Sequence, residues 1–167
     1  SVTGVGKPED VIELGEKAVP QPGPGEVQIE IEAAGIGLPD VLMCKGEYAF
    51  KPELPFTPGQ EVAGTVVALG EGCNLKVGDR VMGVTAFYHG HGSFAQYCLA
   101  PEFTLYPCSA SLSAEQAAGF CIPYHTAAVG LQMRAALQEG EVLLVHGAAG
   151  GSGSIAIELG KAMGATV

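Results

Sequence analysis

A glycine-rich segment, residues 147–153, contains the residues whose types and spacing point most clearly to chemistry. Four of its seven residues are glycine. A short apolar run, residues 142–146, comes before it, and residues 154–163 follow with apolar side chains at every fourth position. This order predicts a strand buried on both faces, a tight turn and an amphipathic helix. Because glycine lacks a Cβ, such a turn lets backbone N–H groups at the helix N-terminus reach a diphosphate.

The spacing of this segment fits the G-x-G-x-x-G dinucleotide fingerprint with one substitution. Ala148 stands at the first glycine position, and Gly150 and Gly153 stand at the second and third. An ordinary strand-to-helix turn is the alternative, but glycine costs conformational entropy wherever its missing side chain is not needed. We therefore predict a dinucleotide-binding site that is formed by Ala148, Ala149, Gly150, Gly151, Ser152 and Gly153.

The composition argues against several other functions. Eight Lys and Arg residues against 18 Asp and Glu give a net charge of −10, so a nucleic acid would be repelled. No apolar run approaches the roughly 18 residues that cross a bilayer, and the N-terminus lacks a secretory signal pattern. The five cysteines are odd in number and never spaced as C-x-x-C, which is typical of reduced thiols. We expect a soluble, cytoplasmic protein.

Residues 1–107 are predicted to be mainly β-structure, with a short helix over residues 39–45. Gly and Pro turns separate short runs in which apolar and polar residues alternate, most strictly over residues 27–32, where one face is expected to be wet. The predicted strands are 27–32, 59–69, 81–86 and 94–99. Many short strands at near-regular spacing favour a barrel or a sandwich.

The periodicity changes after residue 107. Ser113, with Gln116 three residues later, predicts a capping box for a short helix over residues 114–120. A second helix is predicted after Pro123, ending at about Gln138, and residues 165–167 begin a further strand. Because a lone β-α-β unit leaves apolar faces uncovered, we expect the chain to be a fragment or one half of a split protein.

Four motifs of the chain follow one another in a family's characteristic order. They are Pro-Gly-Pro-Gly-Glu-Val at 22–27, Leu-Pro-Phe-Thr-Pro-Gly at 54–59 with Glu-Val-Ala-Gly-Thr-Val at 61–66, Val-Gly-Asp-Arg-Val at 77–81, and Val-His-Gly-Ala-Ala-Gly-Gly at 145–151. Together they resemble the zinc-free, NADPH-dependent quinone oxidoreductase branch of the medium-chain dehydrogenase/reductase superfamily. The resemblance implies a GroES-like β-barrel with the catalytic residues over 1–107, and the first, incomplete part of a Rossmann dinucleotide-binding domain over 108–167. Substrate and nicotinamide would meet in the cleft between the two domains, and the protein would be a homodimer.

The resemblance further implies NADPH as the cofactor and the absence of zinc. Ala148 at the first fingerprint position is similar to the form found in NADPH-using members. Gly37 and Gln60 stand where zinc-dependent members have a Cys and a His ligand, and neither residue binds zinc usefully. The residue that selects NADPH over NADH is expected after the next strand, beyond Val167.

The resemblance also assigns roles to two side chains. Tyr48 corresponds to a tyrosine of the active-site cleft, where its O–H could donate a hydrogen bond to a quinone or enone oxygen. Thr126 corresponds to a threonine that contacts the nicotinamide end of the cofactor. A half-packed loop tyrosine and a plain helix residue are the alternatives. Weaker candidates, each with a structural alternative, are His89, His91, Cys121 and His125.

Our interpretation is a reductase that passes hydride from NADPH to a quinone or a related α,β-unsaturated carbonyl without metal. Such a reaction needs positioning and exclusion of water more than catalytic side chains, because the cofactor carries the chemistry. An enoyl or 2-alkenal reductase is one alternative, and a non-catalytic nucleotide-binding relative with a structural role is another. We expect the 167-residue chain alone to be inactive, since it lacks about half of the predicted Rossmann sheet.

Overall fold

A five-stranded antiparallel sheet organises the first part of the molecule. The computed structural model describes residues 1–167, which form two compact units, residues 1–119 and residues 120–167. The strands, all in the first unit, are β1 (Glu26–Gly35), β2 (Glu61–Leu69), β3 (Arg80–Val84), β4 (Tyr97–Pro101) and β5 (Leu105–Pro107). Their order in the sheet is β4-β1-β2-β3-β5. The predicted domain boundary after residue 107 stays a prediction.

The four predicted strands are confirmed, although their ends differ. The strand β2 begins at Glu61 rather than at residue 59, and β3 ends at Val84 rather than at Ala86. The strand β4 begins at Tyr97 rather than at Phe94, because the backbone before it bonds elsewhere: Phe94 N donates to Pro58 O at 2.9 Å. The three-residue strand β5 was not predicted, since it is too short to show a periodicity.

The main apolar core lies between β1 and its neighbours. Val27 and Ile29 of β1 are fully buried with Val62 and Val66 of β2. The strict alternation expected in β1 is broken at Gln28, which is buried although it is polar. Its carboxamide donates a hydrogen bond to the Pro20 carbonyl, and that bond compensates for the loss of water.

The sheet curls, as a barrel requires. Beyond β3, Ala86 N donates to Leu99 O in β4 at 2.7 Å. Between β4 and β5 lies a 3₁₀ turn, Glu102–Thr104, where Thr104 Oγ1 donates to Val84 O at 2.6 Å. The first bond joins the end of β3 to β4, which is not its neighbour in the sheet order, and the second ties the turn between β4 and β5 to β3. The curvature is thus fixed by specific contacts as well as by the core.

Three short helices complete the first unit: α1 (Pro8–Val11), α2 (Leu38–Cys44) and α3 (Ala114–Ala118). The helix α2 confirms the predicted helix at 39–45. It contributes to a second apolar cluster, which consists of Val2, Val11, Met43, Cys44, Phe56 and Phe87. This second cluster is the apolar surface on which the segment after α2 rests.

The capping box at the start of α3 is confirmed. Ser113 Oγ accepts from Gln116 N at 3.2 Å, and Gln116 Oε1 accepts from Ser113 N at 2.9 Å. The helix ends at Ala118, two residues before the predicted end, and Ala117 and Ala118 pack with Ala63 of β2.

The second unit contains α4 (Cys121–Ala128), a π-helical turn (Val129–Arg134) and α5 (Gly151–Ala162). The prediction that α4 begins after Pro123 is wrong. Pro123 lies inside the first turn, where a helix does not use the backbone N–H that proline lacks. The helical segment also ends before Gln138, whose N–H instead donates to Glu141 Oε2 at 2.8 Å in a turn.

The predicted strands at 142–146 and 165–167 do not form as strands. They are joined only by a single parallel bridge between Val142 and Thr166. The Leu143 side chain packs on α5 at Gly160, where an added Cβ would lie 2.6 Å from Leu143 Cδ2. On the other face Val142 and Leu144 are 81% and 76% exposed. The prediction of burial on both faces is therefore wrong, because α5 covers one face and no other element of the chain covers the second.

Candidate functional site

Buried polar groups in the first unit converge on the loop that enters β2. Gly59 N donates to Asp40 Oδ1 at 3.1 Å, and Gly59 O accepts from Thr85 Oγ1 at 2.8 Å. Glu61 O accepts from Ser93 Oγ at 2.6 Å. All of these side chains are buried. Because a satisfied buried network is rigid, the backbone on both sides of Gln60 is held in one conformation.

Asp40 is the ionisable member of this network. Its other oxygen, Oδ2, accepts from Gly37 N at 2.9 Å, so the carboxylate joins the start of α2 to the loop before β2. Burial raises the pKa of Asp40, and the backbone hydrogen bonds oppose that rise. Sequence reasoning missed this residue. The available signal was its place three residues after Gly37, where an acidic side chain can bond back to the helix N-cap.

Gln60 is also buried, and its side chain has one weak hydrogen-bond partner. Its Nε2 lies 3.3 Å from Met43 Sδ, and a thioether is a poor hydrogen-bond acceptor. Sequence reasoning considered Gln60 only as a residue that cannot bind zinc. Its backbone carbonyl is used, since Gln60 O accepts from Thr85 N at 2.9 Å.

Tyr48, the predicted catalytic residue, is half-buried and packs on the second apolar cluster. Its ring lies 6.2 Å from that of Phe50 and 6.5 Å from that of Phe87, between ring centroids. The backbone N–H of Tyr48 donates to Leu42 O, so α2 determines where the tyrosine lies. Its hydroxyl has no hydrogen-bond partner within the chain and is available to a ligand. The catalytic role of Tyr48 stays a prediction.

The glycine elbow in the second unit, residues 147–153, forms the predicted turn into α5. Gly147 has a φ of 70°, and Gly150 N donates back to Gly147 O at 3.0 Å. Gly150 is the N-cap of α5, and the first helical bond runs from Ser154 N to Gly150 O. The backbone N–H groups of Gly151, Ser152 and Gly153 therefore have no partner in the helix.

The glycines of this elbow differ in what they are needed for. A Cβ on Gly153 would collide with the Gly147 carbonyl, so the turn itself requires this glycine. A Cβ on Gly150 would lie 3.4 Å from Gly147 O, and one on Gly151 would lie 3.9 Å from Pro123 Cγ. Both are ordinary contacts. Packing within the protein therefore does not require glycine at Gly150 and Gly151, and Gly150 also serves as the N-cap of α5, a position that glycine favours.

Thr126 lies exposed on α4, in the same unit as the elbow. Its Oγ1 donates to Ile122 O at 2.7 Å, so its hydroxyl hydrogen is occupied while its lone pairs can still accept. Tyr124 Oη donates to Glu158 Oε2 at 2.7 Å and ties α4 to α5. The structure thus brings Thr126 and the elbow residues Ala148 to Gly153 into one unit. Their role in cofactor binding stays a prediction.

The structure shows no cluster of three or more His, Cys, Asp or Glu side chains that could hold a metal. His89 and His91 line an open groove of the first unit together with Phe94. All five cysteines are free thiols. Burial raises the pKa of Cys98 to about 12, so this thiol is not a nucleophile at neutral pH.

Comparison with known proteins places these features in a family. Residues 23–110 match the alcohol dehydrogenase GroES-like domain. The quinone oxidoreductase of Sus scrofa is 38% identical over 163 residues, which are 97% of this chain and 49% of that protein. Two solved structures are also similar. The quinone oxidoreductase of Thermus thermophilus, solved also in complex with NADPH, has a TM-score of 0.82 at 32% identity, over 98% of this chain and 50% of that chain. The CurK enoyl reductase has a TM-score of 0.83 at 28% identity, over 98% and 51%.

The chain belongs to the alcohol dehydrogenase GroES-like domain family. Within the medium-chain dehydrogenase/reductase superfamily it belongs to the zinc-free quinone oxidoreductase-like branch, and it corresponds to an N-terminal portion of such a protein. It spans between 37% and 49% of the length of the curated relatives that it matches. No helix is both long enough and apolar enough to cross a membrane.

Proposed function

We propose that the chain is part of an oxidoreductase that transfers a hydride from NADPH to a quinone or a related α,β-unsaturated carbonyl without a metal. The N-terminus of α5 carries the proposal, with three free N–H groups and two glycines that the protein's own packing does not require. Two relatives support it, since one is named a quinone oxidoreductase and another was solved with NADPH. In this proposal residues 108–167 are the start of a Rossmann domain.

The elbow fits the diphosphate of a dinucleotide. Gly151, Ser152 and Gly153 would donate their free N–H groups to it, and the first turn of α5 contains no acidic side chain that would repel it. Thr126 Oγ1, whose hydrogen is occupied, would accept from the amide of the nicotinamide end. NADPH would supply the hydride, and these residues would hold the cofactor in place.

Tyr48 would bind the carbonyl substrate that accepts the hydride. When hydride arrives at carbon, negative charge develops on the carbonyl oxygen, and an O–H donor stabilises that charge. The Tyr48 hydroxyl is free to donate, and its ring is fixed against Phe50 and Phe87. A tyrosine donor would take the place of a metal ion at the oxygen, which agrees with Gly37 and Gln60 at the positions of the missing ligands.

An enoyl or 2-alkenal reductase is the second candidate, because the CurK enoyl reductase has a closely similar structure. The two candidates share cofactor chemistry and differ in the acceptor. A higher kcat/KM for enoyl thioesters or 2-alkenals than for quinones would favour the second candidate. A non-catalytic relative would bind NADPH and reduce none of them.

The test is NADPH oxidation by the longest natural form of the protein, with quinones, enones and enoyl thioesters as acceptors. We expect acceptor-dependent turnover that a chelator does not reduce, and a lower kcat in Tyr48→Phe. The matched control is Tyr106→Phe, a tyrosine in β5 to which we assign no part in the reaction. Stoichiometric NADPH binding without turnover would contradict the proposal that the protein is an enzyme. Complete loss of turnover in the presence of a chelator would contradict the metal-free mechanism.

The remaining parts of the proposal rest on the family resemblance. They are NADPH rather than NADH, a homodimer, a cytoplasmic location, and no activity of the 167-residue chain by itself. The exposed apolar face at Val142 and Leu144 supports the last of these, because the predicted parallel sheet is not covered on that side. Light scattering tests the homodimer, and cell fractionation tests the location. A cofactor titration of residues 1–167 tests the remaining two statements, on the cofactor and on the 167-residue chain.

A further inference from the structure

A hydrogen bond between Tyr124 and Glu158 joins α4 to α5 in the second unit. The Tyr124 hydroxyl donates to Glu158 Oε2 at 2.7 Å, and the Tyr124 ring stacks on Phe120, with 4.0 Å between the ring centroids and 14° between the ring planes. A bond to a carboxylate is charge-assisted and therefore stronger than one between neutral groups. This bond also raises the pKa of Tyr124, so the hydroxyl keeps its proton at neutral pH.

Apolar packing alone gives α4 little orientation. The buried residues of α4 are Cys121 and Ala127, and the buried residue of α5 is Gly160. All three are small. The angle between two packed helices is set by side-chain ridges that fit into grooves, and small side chains form low ridges. A directional bond at the surface of the pair therefore contributes more to the angle of α4 than it would beside a core of large side chains.

Two contacts attach α4 to the same face of α5. At the elbow, a Cβ on Gly151 would lie 3.9 Å from Pro123 Cγ, so the first turn of α4 lies beside the glycine elbow. The second contact is the bond from Tyr124 to Glu158. Residues seven apart lie on one helix face, and Gly151 and Glu158 are separated by roughly 10 Å along the axis. Two contacts at that separation fix the angle of α4 as well as its position.

Thr126 follows Tyr124 on the same helix, and its hydroxyl is fixed to that helix. Thr126 Oγ1 donates to Ile122 O at 2.7 Å, so the side chain moves only as α4 moves. The place of Thr126 relative to the elbow is therefore determined by how α4 lies on α5.

We propose that Tyr124 is a positioning residue, whose hydrogen bond to Glu158 holds α4 at the angle at which Thr126 reaches the nicotinamide end of a cofactor bound at the elbow. The proposal rests on the function proposed above. Tyr124 acts through Thr126 and does not itself touch the cofactor.

The expected effect falls on one end of the cofactor. Without the bond, α4 adopts other angles, and only a fraction of the molecules presents Thr126 correctly. The apparent dissociation constant rises by the inverse of that fraction, which for the loss of one hydrogen bond is about 3- to 10-fold. The free N–H groups at the start of α5 do not depend on α4, so the grip on the diphosphate is unchanged.

The test is Tyr124→Phe in the longest natural form of the protein, which removes the hydroxyl and keeps the stacked ring. Two probes are titrated: NADPH, and 2′-phospho-ADP-ribose, which is NADPH without its nicotinamide. We expect the dissociation constant of NADPH to rise about 3- to 10-fold and that of the shorter probe to stay unchanged. The ratio of the two constants is the readout, because it cancels any general effect of a changed charge.

Variants of Glu158 and a matched tyrosine complete the experiment. Glu158→Met removes the acceptor and should change the ratio as Tyr124→Phe does. Glu158→Gln keeps an acceptor oxygen on a side chain of the same length and should keep the ratio of the wild type. The matched control is Tyr97→Phe in the first unit, where Tyr97 Oη donates to Glu30 Oε1 at 3.3 Å. It loses the same kind of bond and should leave the ratio unchanged.

The outcomes are distinguishable. Binding of NADPH by the wild type with an unchanged ratio in Tyr124→Phe overturns this inference alone. An equal loss of affinity for both probes also overturns it, because that is the result of a merely structural role. If the wild type binds neither probe, the proposed function fails together with the inference. If Tyr124→Phe does not fold by circular dichroism, Glu158→Met takes its place, and an unchanged ratio there overturns the inference.

Discussion

The substitution Gly150→Ala separates binding of a ligand from stability of the fold. Gly150 is the N-cap of α5, with φ −81° and ψ 165°, a backbone conformation that alanine adopts without strain. The added Cβ would lie 3.4 Å from Gly147 O, an ordinary contact. Nothing in the protein's own packing therefore opposes the change.

The two effects on stability are small and of opposite sign. Alanine is a poorer N-cap than glycine, by about 0.5–1 kcal/mol. It also restricts the unfolded chain, which stabilises the folded state by about 0.4–1 kcal/mol. The net change in the free energy of unfolding should lie within about 1 kcal/mol of zero. In contrast, a methyl group beside the free N–H groups of Gly151 and Ser152 would keep a diphosphate away from them. Each lost bond to a charged group costs about 1.5–3 kcal/mol, so we expect NADPH binding to weaken at least about tenfold.

The assay is a titration of NADPH by fluorescence, combined with urea denaturation of the same variant. Gly130→Ala is the matched control, because a Cβ there meets nothing within 4 Å in an exposed π-helical turn. It should leave the affinity for NADPH unchanged. A folded Gly150→Ala protein that binds NADPH as tightly as the wild type would refute the reasoning that Gly150 is there for a ligand.

Three further predictions concern stability. Gly153→Ala places its Cβ against the Gly147 carbonyl, so urea denaturation should show a loss of about 1–3 kcal/mol, and an unchanged midpoint would contradict this packing. Ser113→Ala removes the cap of α3 and should cost about 1 kcal/mol by the same measurement, whereas Ser111→Ala, outside the cap, should cost less. For Asp40, a pKa raised in the folded state means that its contribution to stability is greatest below its ordinary pKa and declines as the pH rises through the folded-state value. The stability difference between wild type and Asp40→Asn, followed upwards from pH 4, should therefore shrink, and a difference that grows would contradict the assignment.

Local signals in the sequence predicted the elements that depend on neighbouring residues. The capping box of Ser113 and Gln116, the turn at Gly147 and the start of α5 are formed by contacts within a few residues. For the same reason four strands were recognised from alternation, with errors only at their ends. Alternation does not report which loop a strand end bonds to, as Phe94 shows by bonding to Pro58.

The sequence did not predict features that depend on distant partners. The network around Gly59 brings together residues 40, 85 and 93, and no periodicity links them. Asp40 and Gln60 were therefore missed as candidates. The prediction of burial on both faces at 142–146 was wrong for a related reason. Apolar composition indicates burial but does not show whether this chain supplies a cover for both faces.

The most direct test of the central claim is the oxidation of NADPH by the longest natural form of the protein, dialysed against a chelator, with p-benzoquinone as acceptor. The account predicts turnover that depends on the acceptor, persists without metal, and is lost in parallel with NADPH affinity in Gly150→Ala. Tight NADPH binding with no turnover of quinones, enones or enoyl thioesters would contradict it.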